Sequence, residues 1–175
     1  MAGGCKGKGC VMTKVIFLDI DGVLNSAFWN ENHQKEISGG TQIDTEKIEM
    51  LAALTARTGA KIILHSGWRF WFDGRIRPLC PQAERLVGLL ADAGLKISGM
   101  TPDLTTDEIR KTKKFSLVKA EEILLWLREH PDVCGWVVLD DLALHNEAVA
   151  SHQVTPDQRW GLTLEDIREA ERILG

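Results

Sequence analysis

Four consecutive β-forming apolar residues at 15–18 (VIFL) run straight into Asp19, Ile20, Asp21 and Gly22. A strand without a polar face must be covered on both sides, as in a parallel sheet between two helical layers. Two carboxylates stand where that strand ends. Side chains two apart on an extended chain lie roughly 6 to 7 Å from one another, so Asp19 and Asp21 can flank one small reacting group if the backbone turns after Asp19. Gly22 supplies the freedom for that turn.

Comparable apolar runs occur at 61–65 (KIILH) and 136–139 (WVVL), with weaker candidates at 95–100 and 152–155. Helical patterns separate them. Asp44 reads as the N-cap of a helix over 45–58, with Ile48, Leu51 and Leu54 on one face and Gly59 as its stop. Pro81 fits the first turn of a second helix, with Leu86, Leu89 and Leu90 inward and Gly94 at its end. Ser116 reads as the cap of a third, closed before Pro131, with Ala120, Ile123, Leu124 and Leu127 as its core stripe. Thr163 to Asp166 forms a capping box on the last helix, Asp serving as a shorter Glu. Residues 25–40, carrying Phe28 and Trp29, read as a loop or flap, 69–80 as an irregular segment and 101–115 as a polar loop. Strands alternating with helices predict a doubly wound, Rossmann-like α/β three-layer sandwich, its parallel sheet having about five strands.

The chain of 175 residues suits one domain, expected over 14–175 after a flexible leader at 1–13. No apolar run is long enough to span a membrane and the N-terminus lacks a signal-peptide core, so a cytoplasmic protein is expected. The four cysteines and five histidines have no zinc-ligand spacing, and free thiols are expected. A net charge of −4 argues against binding nucleic acid by bulk charge, while leaving room for local basic patches.

In a parallel sheet all strand C-termini share one edge. That edge collects Asp19, Asp21, Ser66, Asp140 and Asp141. Carboxylates crowded into one crevice repel unless a hard cation with oxygen ligands lies among them, and Mg²⁺, which also takes phosphate oxygens, is the natural choice. Ser66 can donate its hydroxyl to a phosphoryl oxygen, and Lys119, on the first turn of the helix before the fourth strand, can bring its ammonium.

In this order and on these elements the sequence resembles the haloacid dehalogenase (HAD) superfamily of phosphohydrolases. Asp19-Ile-Asp21-Gly22-Val23 is similar to its first motif, Ser66 after KIILH to its second, Lys119 to its third, and Asp140-Asp141 after WVVL to its fourth. A narrower likeness rests on LDIDGVLN, Ser66-Gly67-Trp68-Arg69, Lys119-Ala-Glu-Glu-Ile with Trp126-Leu127, VLDD, and the stretch from Val154-Thr155-Pro156 to Gly161-Leu162-Thr163. Together these resemble the small HAD domains of Swiss Army knife RNA repair proteins. His65-Ser66-Gly67 departs from the usual serine-rich run, and Leu142-Ala143-Leu144 stands where polar residues are usual.

The resemblance implies a phosphatase in which Asp19 attacks phosphorus to form an aspartyl-phosphate and Asp21 shuttles the proton. It implies Mg²⁺ held by Asp19, the backbone carbonyl of Asp21 and the Asp140/Asp141 pair, with Ser66 and Lys119 on the transferring group. Gly67, Trp68 and Arg69 are expected substrate contacts.

The chain leaves no room for a large inserted cap, and an open crevice suits a nucleic-acid end or nucleotide phosphate. Arg69, Arg75 and Arg77, interleaved with Trp68, Phe70, Trp71 and Phe72, and the run Arg110, Lys111, Lys113, Lys114 supply basic and stacking groups. A small metabolite or a phosphoprotein is the alternative substrate. A phospho-accepting switch is disfavoured, because the adjacent acids follow the fourth strand rather than the first.

Overall fold

The computed structural model describes residues 12–27 and 43–175. Residues 28–40 of the expected flap, with Phe28 and Trp29, and residues 1–11 of the leader lie outside them.

β1 (Thr13–Leu18), β2 (Lys61–Leu64), β3 (Ile97–Met100), β4 (Val133–Leu139) and β5 (Gln153–Val154) form one sheet in the order β3-β2-β1-β4-β5. Every neighbouring pair is parallel. The helices are α1 (Thr45–Thr58), α2 (Pro81–Asp92), α3 (Asp107–Thr112), α4 (Phe115–Glu129), α5 (Glu147–Ala150) and α6 (Leu164–Leu174), with a 3₁₀ helix over Gly67–Trp71. This is the doubly wound sandwich expected from the alternation of runs, with no inserted cap domain among the described residues.

β1 is buried on both faces, and its alternate residues enter different cores. Ile16 and Leu18 join Leu51, Leu86 and Ile167 in one cluster, while Val15 and Phe17 join Ile123 and Trp126 of α4 in the other. The period of two continues into the site. Asp19 follows Phe17 in phase, Asp140 follows Val138 and His65 follows Ile63, all three leading residues being in the α4 cluster. Three polar residues one step beyond their strands are thereby aimed at the layer that carries Lys119.

Local signals were legible where a cap or turn enforces them. Asp44 accepts a hydrogen bond from the Glu46 amide at the start of α1, and Gly59 closes that helix at φ 69°. Thr163 and Asp166 make the reciprocal capping box of α6. Other expectations shift. The loop at 101–115 contains α3, whose N-cap Thr106 accepts from the Ile109 amide. Ser116 is not a cap: α4 starts at Phe115 behind Lys114, without a side-chain cap bond. The buried face of α4 uses Val118, Ala120, Glu122, Ile123 and Trp126, while Leu124 and Leu127 are only partly buried against the core. The irregular segment after β2 holds the 3₁₀ helix and a bridge between Phe72 and Pro78.

Candidate active site

After β1 the chain visits β2 and β3 on one side, then crosses to β4 on the other. The C-terminal ends of β1 and β4 therefore diverge into a crevice at the topological switch point, the usual ligand position of open parallel sheets. Asp19 closes one wall and Asp140-Asp141 the other.

Lys119 lies between them. Its Nζ donates to Asp19 Oδ2 at 2.7 Å and to Asp140 Oδ2 at 2.5 Å. It is the fifth residue of α4, so the ammonium comes from the start of the second turn rather than the first. Asp19 Oδ1 is held by the Ile20 amide at 2.7 Å and Asp140 Oδ1 by the Leu142 amide at 2.9 Å. Each carboxylate thus has one oxygen fixed by backbone and one turned to the ammonium. Burial works against the charge on Lys119, but Asp19 and Asp140 outweigh it and hold the group above the usual lysine range.

Asp19, Asp140 and Asp141 can present ligand oxygens all within 4.8 Å of one another. One ammonium does not balance them. Burial, and then Asp19, push the Asp140 carboxyl up to about 7, with Lys119 opposing. Burial and Asp19 likewise raise Asp141. Hard oxygen donors with excess negative charge fit a divalent cation of the Mg²⁺ or Ca²⁺ type and do not fit a soft metal. The side chain of Asp21 is not part of this cluster.

Asp21 is exposed at the cleft and gripped at both oxygens. Asn25 Nδ2 donates to Oδ1 at 2.9 Å, and Trp68 Nε1 donates to Oδ2 at 3.0 Å. The Gly22 amide in turn donates to Asn25 Oδ1 at 2.8 Å. Gly22 has φ 76°, and a Cβ there would fall 2.5 Å from the Asp141 carboxyl carbon. A side chain at this turn would displace one of the acids.

Ser66 is buried at the cleft floor, its Oγ accepting from the Trp68 amide at 3.3 Å. Gly67 lines the cleft beside it. Trp68 is 8% exposed and reaches the site through its indole N–H on Asp21 rather than through an open ring face. Arg69 borders the cleft but is equally buried. Its Nη1 donates to the Ser66 carbonyl at 3.2 Å and its Nη2 to Glu122 Oε1 at 2.8 Å. Glu122 Oε1 also accepts from the Leu104 amide at 2.9 Å.

Glu122 and Asn25 are site residues that the sequence reading missed. Glu122 carried a signal: a carboxylate three residues after Lys119, on the face of α4 that otherwise enters the core. Burial raises its pKa, with Arg69 opposing. His65, one residue before Ser66, is fully buried with Nδ1 2.9 Å from Thr101 Oγ1. Burial, with Lys119 and Arg69 nearby, holds it well below the usual histidine range and therefore neutral.

A switch-point crevice floored by strand-end acids and bridged by a helix-borne lysine defines an α/β domain of the HAD-like, Rossmann type without a large cap. The chain belongs to the family described as the HAD domain in Swiss Army Knife RNA repair proteins, which matches residues 15–167. Searches of curated proteins and of solved structures returned no match.

Proposed function

We propose that this protein is a Mg²⁺-dependent phosphohydrolase acting on a terminal phosphate of a nucleic acid or nucleotide through an aspartyl-phosphate. The observation that carries the reading is Lys119 bridging Asp19 and Asp140 at 2.7 and 2.5 Å, with Asp141 completing the acid cluster. Asp19 is the nucleophile: its Oδ1 is pinned by the Ile20 amide, which leaves Oδ2 to attack phosphorus. Asp21 gives a proton to the leaving oxygen and takes one from the hydrolytic water. Asn25 and Trp68 hold it in place without occupying every lone pair of its oxygens.

Ser66 and Lys119 face the oxygens of the transferring group, and both line the same cleft as Asp19 and Asp21. Asp19, Asp140 and Asp141, with the Asp21 backbone carbonyl, would hold Mg²⁺. That ion would supply charge neutralisation for the transferring phosphoryl group. The family's description, of domains in RNA repair proteins, supports a nucleic-acid substrate.

The test is release of inorganic phosphate from 3′- and 5′-phosphorylated oligonucleotides, mononucleotides and sugar phosphates, with Mg²⁺ and with chelator. Turnover is expected only with the metal, and Asp19→Asn is expected to abolish it. Activity confined to sugar phosphates would overturn the nucleic-acid assignment, and full activity of Asp19→Asn would remove the nucleophile.

A further inference from the structure

The cleft is far larger than its chemistry at phosphorus requires. Open to solvent on one side, it has a volume of about 880 Å³, whereas a phosphoryl group fills only a small part of such a space. Sites of roughly 300–1,000 Å³ ordinarily take a whole small ligand. The group esterified to the phosphate therefore has room to enter.

The walls of that extra space are aromatic and basic. Of the aromatic run after Ser66, Trp68 and Phe72 are taken into the core, at 8% and 6% exposure, but Phe70 remains 54% exposed and lines the cleft. Phe115, the first residue of α4, lines it as well at 37% exposure. The Arg69 guanidinium stands 4.9 Å from the centroid of the Phe70 ring and helps to hold it. A phenyl ring makes no conventional hydrogen bonds to sugar hydroxyls, whereas its face stacks on any nucleobase.

Arg110 lines the same cleft. Its pair with Asp103 is long, 3.5 Å, and the Arg110 side chain is 59% exposed, so the guanidinium is available to an anion. Lys111, Lys113 and Lys114, which follow it in sequence, are exposed and add positive charge to this segment. One positive group beyond the acid centre suits a second phosphate.

We propose that Phe70 and Phe115 form a nucleobase subsite for the terminal nucleotide, with Arg110 on the adjoining phosphate. The subsite rests on the phosphohydrolase reading above but is separable from it by experiment. Its ligand chemistry is a nucleoside phosphate, free or at a strand end.

The experiment compares wild-type kcat/KM, with Mg²⁺, on a terminally phosphorylated dinucleotide and on the same molecule with an abasic tetrahydrofuran at the phosphorylated end. The base-bearing substrate is expected to be favoured about 10-fold or more, from the stacking contribution of one base. Phe70→Leu and Phe115→Leu are expected to move that ratio towards one. Arg110→Gln should instead shrink the preference for dinucleotide over mononucleotide and leave the base-to-abasic ratio in place.

Equal kcat/KM for the two wild-type substrates overturns the subsite while phosphate release from both preserves the enzyme. A mononucleotide used as well as the dinucleotide overturns the role of Arg110 and assigns the subsite to free nucleotides. If no ester is hydrolysed, the phosphohydrolase reading falls. Calorimetric affinities for the same pair then decide the subsite, and equal affinities overturn it.

Discussion

Asp19 and Asp140 share one ammonium, and their remaining oxygens are tied to backbone amides, so small changes around them have few ways to relax. Gly22→Ala would put a methyl group 2.5 Å from the Asp141 carboxyl carbon at a backbone φ of 76°. The left-handed conformation alone costs about 1–2 kcal/mol for a residue with a Cβ. Denaturant unfolding should show at least that loss, and phosphate release should fall further, because Asp141 is the atom group that has to move. Glu122→Ala leaves the buried Arg69 guanidinium only its longer contact to Asp103, 3.8 Å, so the loss is expected to reach at most the about 3–5 kcal/mol of a fully broken buried pair. Glu122→Gln retains an acceptor for Arg69 and for the Leu104 amide, and should lose clearly less by the same measurement.

At the scale of elements, the segments around the acids are held by other segments rather than by their own propensity. The turn after β1 is clamped by the loop before α6: the Ala27 amide donates to the Gln158 carbonyl and the Leu162 amide to the Val23 carbonyl. Gly161 makes this approach possible. A Cβ at that position would lie 2.8 and 2.9 Å from the carbonyl oxygens of Asn25 and Val23, with φ at 68°. Gly161→Ala is therefore expected to lower both the melting temperature and turnover, although the residue contributes nothing to the acid cluster. A variant with full turnover would show that the clamp does not position Asp21. α3 shows the opposite balance, being a short exposed helix with a Thr106 cap and two acids in its first turn, and its six residues carry too little periodicity to distinguish it from a loop along the sequence.

At the scale of the molecule, the order β3-β2-β1-β4-β5 puts the central strand, buried from Val15 to Leu18, at the switch point, so the site is built on the middle of the sheet. The same burial makes His65 a pH liability. In the folded state it is held neutral, mainly by burial, while in the unfolded chain it titrates near 6.5. The unfolded state then binds more protons below that pH, so stability rises with pH through this region. Its share is lost on acidification at up to about 1.4 kcal/mol per pH unit. Between pH 5 and 7, urea midpoints of the wild type should fall more steeply on acidification than those of His65→Asn. Identical slopes would show that His65 takes up its proton without unfolding.

The apolar runs, the helix caps of α1 and α6 and the order of acids, serine and lysine were readable along the chain, because strand period, cap geometry and motif spacing are local properties. Those features were enough to determine the parallel sandwich and to place Asp19, Asp21, Ser66, Lys119, Asp140 and Asp141 at one edge. Tertiary packing decided what each does with its remaining atoms. It turned Trp68 inward to grip Asp21, paired Arg69 with Glu122, and left Phe70 and Phe115 on the wall of the cleft. Neighbouring residues in one aromatic and basic run met different fates because burial depends on which distant element covers each side chain, and no local pattern encodes that.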